Sequence, residues 1–320
     1  MQIIHPTPDE ARLGLRAIKT VLIADGVLNP AEAHMLVAAQ KYITRTDFDV
    51  HALPAIEPDA LAAGVQRPEL RQQLIGAMVI HSFASGEAGP EQLDAIRGFA
   101  QALGVELAEI ETLQHYVRRN LALFRFDILR HMYIGDALAG IWHEEGVKGI
   151  LKLLGGLAGL REDPALAAKY QALGDYAEGT LGRALYDHYR SHGFALPGEK
   201  HGGPPAIVLH DTAHVLGGYE TDPDGEFQVA AFTAGFRSAQ SWSILIFVMC
   251  QFDLGVRIAP VPGGVTEIGR LDPDRLLAAL VRGTRMKVDL FDDWDFWAAA
   301  PRPLAELRVE YGIDEATPAR

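Results

Sequence analysis

The sequence predicts an all-α protein, and two features of its pattern support this. Apolar residues recur at helical spacing, as at Leu15, Ile18 and Leu22. Helix starts are marked clearly, as at Asn29-Pro30. The asparagine side chain can accept a hydrogen bond from a free backbone amide of the first turn. Proline suits the first helical position because it has no backbone N–H that would stay unpaired there. The length of 320 residues fits about two domains of ordinary size.

The composition narrows the classes of function and of metal site. A hydrophobic fraction of 48% and a charged fraction of 22% are those of an ordinary globular protein. The net charge of −13 repels phosphates, so we expect no nucleic-acid partner, and no polybasic membrane patch is present. The single cysteine, Cys250, excludes an intramolecular disulfide and a multi-cysteine zinc site. Any bound metal must therefore rest on histidines and carboxylates.

The distribution of apolar residues favours a cytoplasmic protein. The N-terminus lacks the basic start and apolar run of a secretory signal, and no stretch of about 20 uncharged apolar residues is present. The nearest stretches, residues 146–160 and 238–254, are interpreted as buried core helices. The alternative is a wall that faces a lipid tail or the membrane surface, with peripheral contact at the inner membrane. We also expect a homo-oligomer.

The front domain, residues 1–120, contains an internal repeat of a helix–turn–helix unit. Residues 24–32 (ADGVLNPAE) align with residues 84–92 (ASGEAGPEQ). Each copy has an apolar helix before it and an amphipathic helix after it.

The first turn resembles that of the TerB-like (tellurite-resistance-associated) helical domain through Asp25, Gly26 and Glu32. In the second copy, Ser85 and Gln92 replace the two acids. The resemblance implies an interaction or regulatory module. We expect Asp25 and Glu32 to be a turn residue and a first-turn acid favoured by the helix dipole, with a shared metal ion as the alternative.

Residues 121–164 are predicted to be a helical connector without a chemical motif. Its histidines, His131 and His143, are interpreted as packed or solvated side chains. The back domain, residues 165–320, carries the chemistry.

Histidines crowd one part of the back domain. Five of the chain's 12 histidines lie close together in sequence: His188, His192, His201, His210 and His214. In the string His210-Asp211-x-x-His214, the two histidines are four positions apart and share one face of a helix. H-E-x-x-H metal sites use the same arrangement of two histidines, and here aspartate stands in place of the glutamate. The alternative is a helix whose two histidines are structural.

A metal site needs a third protein ligand, and Glu226 is the natural one. Gly217-Gly218 ends the histidine helix, an acidic turn reverses the chain, and Glu226 is expected to open the next helix, residues 227–236. Asp211 is expected to ligate directly or to orient a histidine from outside the ligand set.

The string His210-Asp211-x-x-His214, followed after 11 residues by Glu226, resembles the metal motif of the Coq-four family of coenzyme Q (ubiquinone) biosynthesis. The similarity extends over about residues 165–315. It includes residues 178–189 (EGTLGRALYDHY), 215–219 (VLGGY), 225–232, the pair Arg282-Gly283, Trp294, and residues 303–313 (PLAELRVEYGI). The TerB-like front and a short gap before the metal motif depart from the family pattern.

The resemblance implies a metal-dependent ubiquinone biosynthesis protein with His210, Asp211, His214 and Glu226 as metal ligands. The implied metal is zinc, with iron as the alternative, since two histidines and one carboxylate suit both. The implied reaction is oxidative decarboxylation at C1 of a polyprenylated hydroxybenzoate, with other quinone-biosynthesis enzymes as partners. Asp211, Glu226 and Tyr219 are the candidates for proton transfer.

Enzymatic activity stays open, because a non-catalytic polyprenyl-lipid-binding scaffold with a structural metal is the alternative. For the lipid, Phe232 and Phe236 are expected to line an apolar channel or to form ordinary core. Arg183 and Arg237 are expected to meet a substrate carboxylate or phosphate, or to form structural salt bridges.

Overall fold

The computed structural model describes residues 2–130, 162–256, 258, 269 and 271–314. Over these residues the regular structure is helical, and the strand-like pairing is an isolated antiparallel bridge between Thr180 and Pro303. The prediction of an all-α fold is confirmed for this part of the chain. His131, His143 and the apolar stretch 146–160 lie outside the described residues.

The α-helices, in chain order, are α1 (Pro8–Leu22), α2 (Pro30–Ala39), α3 (Pro58–Gly64), α4 (Pro68–Ser82), α5 (Pro90–Leu103), α6 (Glu109–Val117), α7 (Leu121–Arg130), α8 (Pro164–Gln171), α9 (Leu181–Ser191), α10 (Ile207–Gly217), α11 (Pro223–Phe236), α12 (Ser241–Val248), α13 (Pro273–Thr284), α14 (Phe296–Ala299) and α15 (Leu304–Tyr311). Short π-helical segments follow α2 and α12, and a 3-10 turn follows α8. Among the described helices, none combines the length and the apolar character needed to cross a bilayer.

The described residues divide into two compact units. The first takes its residues from 2–130, 222–235 and 240–284, and the second from 162–221, 236–239 and 285–314. Each unit therefore draws on separate stretches of sequence.

In the first unit, the two copies of the repeat have equivalent helix ends. The first copy runs from α1, which ends at Leu22, to α2, which begins at Pro30; the second runs from α4, which ends at Ser82, to α5, which begins at Pro90. The Asn29 side chain and the Glu32 side chain form a capping box at the start of α2, as the Asn-Pro signal predicts. Gly26 and Gly86 both have positive φ, which the intervening turn requires.

The acid of the first copy is hydrogen-bonded to the residues that replace acids in the second. Ser85 Oγ donates to Glu32 Oε1 over 3.0 Å, and Gln92 Nε2 donates to the same oxygen over 3.1 Å. Burial raises the pKa of Glu32, against the opposing effect of these donors. Asp25 is exposed and accepts from the Val27 amide. Glu32 is thus a capped first-turn acid, and Asp25 is a turn residue.

In the second unit, the segment with Gly179 and Gly182 packs its backbone against the chain before α15. The Leu181 amide donates to the Arg302 carbonyl over 2.9 Å, and the Gly182 amide donates to the Ala300 carbonyl over 2.8 Å. A Cβ on Gly182 would lie 3.0 Å from that carbonyl oxygen, so a glycine is needed for this close approach. The Leu304 amide donates to the Gly179 carbonyl over 2.8 Å, so two of the segments that carry the Coq-four resemblance contact each other.

Helix α11 begins at Pro223, which is earlier than the predicted start at Glu226. The Asp222 side chain accepts from the Gly225 amide over 2.7 Å, and its carbonyl accepts from the Glu226 amide over 2.9 Å. Asp222 thus caps the helix and Pro223 takes its first position, which is the same chemistry as Asn29-Pro30. The predicted start was wrong because these residues were interpreted as turn residues alone.

Candidate metal centre

Helix α10, which carries His210 and His214, is fixed at its C-terminal end. Gly218 ends the helix with a φ of 68°, a conformation that favours glycine. Arg308 donates from Nε to the Leu216 carbonyl over 3.0 Å and from Nη2 to the Val215 carbonyl over 2.9 Å. A guanidinium at this position donates hydrogen bonds to the last carbonyls of the helix, which have no partner within it. Its positive charge also interacts favourably with the negative end of the helix dipole.

The imidazoles of His210 and His214 approach each other through their Nε2 atoms. His214 Nε2 lies 3.2 Å from His210 Nε2. His214 Nδ1 lies 3.2 Å from the carbonyl oxygen of Tyr219, which can only accept, so Nδ1 carries the proton in the neutral ring. The Nε2 lone pair of His214 is therefore directed toward His210, in a side chain that is 2% exposed.

Glu226 lies in the first turn of α11. Glu226 belongs to the first unit and the two histidines belong to the second, and its role as the third ligand stays a prediction. Two imidazole nitrogens and a carboxylate oxygen form a donor set that zinc and iron both accept.

Asp211 has a hydrogen-bond partner on α9. Its Oδ2 accepts a hydrogen bond from the hydroxyl of Tyr189, which lies on α9 and is buried. Burial raises the pKa of Tyr189, and Asp211 raises it further, so the hydroxyl keeps its proton and donates. The structure thus gives Asp211 a partner outside the ligand group, and direct ligation by Asp211 stays a prediction.

Two further histidines of the cluster are His188 on α9 and His192, the residue that caps the C-terminal end of this helix. The His188 ring stacks on His214, with centroids 5.7 Å apart, and the His192 ring lies 4.8 Å from His188. His201 is exposed, in the loop before α10. The pair His210–His214 therefore borders a wall of imidazole and aromatic rings.

Tyr219 contributes to the site through its backbone. Its carbonyl accepts from His214 Nδ1, and its side chain is buried. Proton transfer by its hydroxyl stays a prediction.

Arg183 and Arg237 both bind carboxylates of the protein. Arg183 Nε donates to Asp187 over 2.9 Å, and Arg237 Nη1 donates to Asp289 over 3.1 Å. These are the structural salt bridges that the sequence analysis gave as the alternative. Contact with a substrate anion stays a prediction for both.

Phe232 and Phe236 are buried side chains of α11. The Phe236 ring stacks on Phe291, with centroids 6.2 Å apart. Helix α13 approaches Phe232 closely at Gly283, where a Cβ would lie 2.9 Å from the Phe232 carbonyl carbon. Both phenylalanines are part of tightly packed surroundings, and a role as channel lining stays a prediction.

A second group of potential ligands, His34, Asp272 and Asp274, is an ion-pair network. Lys41 Nζ lies 2.6 Å from Asp274 Oδ1, and His34 Nε2 lies 3.1 Å from Asp274 Oδ2. The lysine already neutralises this carboxylate, so the pair His210–His214 is the better candidate for a metal.

Sequence reasoning identified the histidines and Glu226 but gave no role to Tyr189 or Arg308. Both stand inside segments that carry the Coq-four resemblance, residues 178–189 and 303–313. Their position in these segments could have indicated a role in the site. The structure shows that Tyr189 contacts Asp211 and that Arg308 contacts the C-terminal end of α10.

Comparisons of the chain with protein-family models, with curated proteins and with solved structures find no match. The resemblances to the Coq-four family and to the TerB-like domain therefore rest on the motif residues alone.

Proposed function

We propose that this chain is a metal-dependent protein of polyprenyl quinone biosynthesis. Its substrate would be a polyprenylated hydroxybenzoate, altered at the C1 carboxylate. The observation that carries the metal part of the proposal is the histidine pair, whose Nε2 atoms lie 3.2 Å apart with the Tyr219 carbonyl on the other side of His214. The choice of pathway rests on the motif resemblance.

The residues present fit a divalent metal ion. His210 and His214 would hold it, with Glu226 as the third ligand that the motif resemblance implies. The carbonyl of Tyr219 sets the tautomer that leaves His214 Nε2 as a donor atom. Ligand type suits zinc or iron, and we propose zinc with iron as the alternative. When bound, the metal would supply Lewis acidity for a ring carboxylate or phenol oxygen.

The side chains around the ligands would position and protonate the substrate. Tyr189 holds Asp211 in place through its hydroxyl, so that Asp211 either accepts a proton or supports a ligand. Glu226 is shared between ligation and proton transfer.

The proposed reaction replaces the C1 carboxylate by a hydroxyl group. The bond between C1 and the carboxylate carbon breaks, carbon dioxide leaves, and a new C1–oxygen bond forms. With a peroxide as two-electron oxidant, the substrate carboxylate, one proton and hydrogen peroxide give the phenol, carbon dioxide and water. Dioxygen with a two-electron donor would serve in the same role.

The test is complementation of a deletion strain. Deleting the gene should lower the quinone and accumulate the prenylated hydroxybenzoate, both measured by mass spectrometry, and the wild-type gene should restore the quinone. His214→Ala should fail to restore it. His51→Ala is the matched control, because His51 is an exposed histidine that lies far from this motif in the sequence. This variant should restore the quinone.

Unchanged quinone in the deletion strain would overturn the pathway assignment. Restoration by His214→Ala, with metal lost from the purified variant, would overturn the catalytic role. That second outcome would favour the scaffold alternative, in which the protein binds the prenyl lipid and the site serves the fold alone.

A further inference from the structure

A cavity of about 80 Å³ lies inside the first unit, among helices α1, α2, α4, α12 and α13. Its surface is almost entirely apolar, and the side chains that form it include Leu15, Met35, Leu74, Trp242 and Leu277. A dry apolar cavity of about 150 Å³ binds benzene, so a cavity of this smaller size suits a group of about three or four carbon atoms.

The polar side chains at the edge of the cavity are bonded within the protein. Glu10 is ion-paired with Arg67 over 2.6 Å, and Thr44 Oγ1 donates to the Gln40 carbonyl over 3.1 Å. The hydrogen bond from Arg67 holds the pKa of Glu10 below its ordinary value, so this carboxyl is ionised at neutral pH and repels a ligand anion.

His81, on α4, is the buried polar residue of the lining, and it adds no charge to the wall. Its ring is hydrogen-bonded to the Ala77 carbonyl, 2.7 Å from Nδ1, and to the backbone of Met35. Burial lowers the pKa of His81 to about 4, so the ring is neutral at neutral pH. The residues that line the cavity therefore select for apolar surface.

Residues 3–6 form a strap without helical structure along one side of the cavity, before α1. Ile3 and Pro6 of the strap line the cavity, and both are partly exposed. The strap is held by side chains: the Ile4 amide donates to Gln73 Oε1 over 2.7 Å, and Gln73 Nε2 donates to the Ile4 carbonyl over 2.9 Å. Displacing the strap therefore breaks side-chain hydrogen bonds and unfolds no helix.

From this geometry we propose that the cavity binds the end of a lipid hydrocarbon chain, which enters where the strap is displaced. Water is a poor occupant, because apolar walls offer it no hydrogen-bond partner. A polar group buried here would lose its hydrogen bonds to water without replacing them, whereas a hydrocarbon gains dispersion contacts and leaves water. The volume holds the chain end alone, and the rest of the chain passes out beside the strap. The proposal is independent of the metal centre.

The test compares two small probes of the same shape, isobutene and acetone, in which a methylene group and a carbonyl oxygen are exchanged. Each is titrated into the full chain labelled with ¹³C at the methionine methyls, and the Met35 signal, assigned with Met35→Leu, reports on the cavity wall. We expect a saturable shift with isobutene and an affinity at least about tenfold lower for acetone, because the carbonyl must leave water.

A third probe tests whether a longer chain reaches the cavity. Geraniol ends in a branched group like isobutene, and its hydroxyl lies at the other end of the chain. It should shift the Met35 signal and displace isobutene, since its hydroxyl end stays in water outside the strap.

Two variants test the cavity and its entrance. Ala39→Leu fills the cavity from α2, so isobutene should lose its saturable shift, whereas Ala31→Leu, at an exposed position of the same helix, should keep it. Gln73→Leu keeps a side chain of similar size but removes both hydrogen bonds to Ile4, so isobutene should exchange about tenfold faster, measured from Met35 line shapes. Circular dichroism verifies that each variant is folded; if one is not, the wild-type affinities and the geraniol competition decide.

Four results would overturn the proposal. The lack of a saturable Met35 shift with isobutene means that the cavity takes no hydrocarbon, and equal affinity for isobutene and acetone means that its walls do not select apolar groups. Isobutene binding that geraniol does not displace means that no lipid chain reaches the cavity. An unchanged exchange rate in folded Gln73→Leu means that the strap is not the entrance.

Discussion

At the scale of single residues, the tautomer of His214 decides which of its ring nitrogens can bind a metal. Its Nδ1–H group donates a hydrogen bond to the Tyr219 carbonyl, so the unprotonated nitrogen is Nε2, which faces His210. An i, i+4 histidine pair is visible in the sequence, but the protonation of each nitrogen is not. The backbone carbonyl five positions later decides it, through the turn that Gly218 permits.

Tyr189→Phe tests the support that α9 gives to the site. Removing the hydroxyl leaves Asp211 without this donor, and we expect metal affinity to fall about tenfold while the stoichiometry stays the same. Competition with a chromophoric chelator measures the affinity. Tyr186→Phe, on the same helix, is the control, and an equal loss in both variants would remove the special role of Tyr189.

His81 makes a separate prediction about stability and pH. Its pKa in the folded chain is about 4, below the ordinary value of 6.5, so the unfolded chain binds the proton first. Its contribution is therefore fully present above pH 6.5 and is lost as the pH falls through 4. The shift corresponds to about 3 kcal/mol at most.

The measurement is the urea-unfolding free energy between pH 4 and pH 7. His81→Leu should show a flatter pH dependence than wild type, whereas His51→Leu, at an exposed position, should keep the wild-type slope. Equal slopes for His81→Leu and wild type would show that His81 is not buried neutral.

At the scale of elements, helix ends were the most predictable part of the fold. Asn29-Pro30 opens α2, Gly218 ends α10, and both follow from local chemistry. The start of α11 was missed because Asp222-Pro223 also suits a turn, and local chemistry alone does not separate the two.

Contacts between elements were not predictable in the same way. Arg308 reaches the end of α10 from 92 positions away, and Tyr189 reaches Asp211 from 22 positions away. Sequence spacing says nothing about such pairs, because they depend on how helices pack. The candidate ligands His210 and His214 could be picked out from the sequence because they lie four positions apart on one helix.

Arg308→Gln tests the C-terminal cap of α10. Two hydrogen bonds from a charged guanidinium to the Val215 and Leu216 carbonyls are lost, and we expect the unfolding free energy to fall by about 2 kcal/mol. Urea unfolding measures it. Arg302→Gln, which removes a surface ion pair with Glu310, should change the unfolding free energy much less, because solvent screens an exposed pair. Equal effects of the two variants would contradict the capping role.

At the scale of the whole molecule, composition limits the chemistry before any motif is considered. The chain has one cysteine, Cys250, and it is fully buried. Burial raises the pKa of its thiol, so it stays protonated and is a poor ligand. Any metal that this protein binds would therefore rest on histidine and carboxylate groups, and His210 and His214 are the candidates.

The metal content of the purified full-length protein tests the central claim most directly. Inductively coupled plasma mass spectrometry should find about one zinc or iron per wild-type chain, and His51→Ala should match it. His214→Ala and Glu226→Gln should lose the metal while circular dichroism still shows a helical fold. A metal-free wild-type protein that takes up neither zinc nor iron on titration would contradict the metal centre.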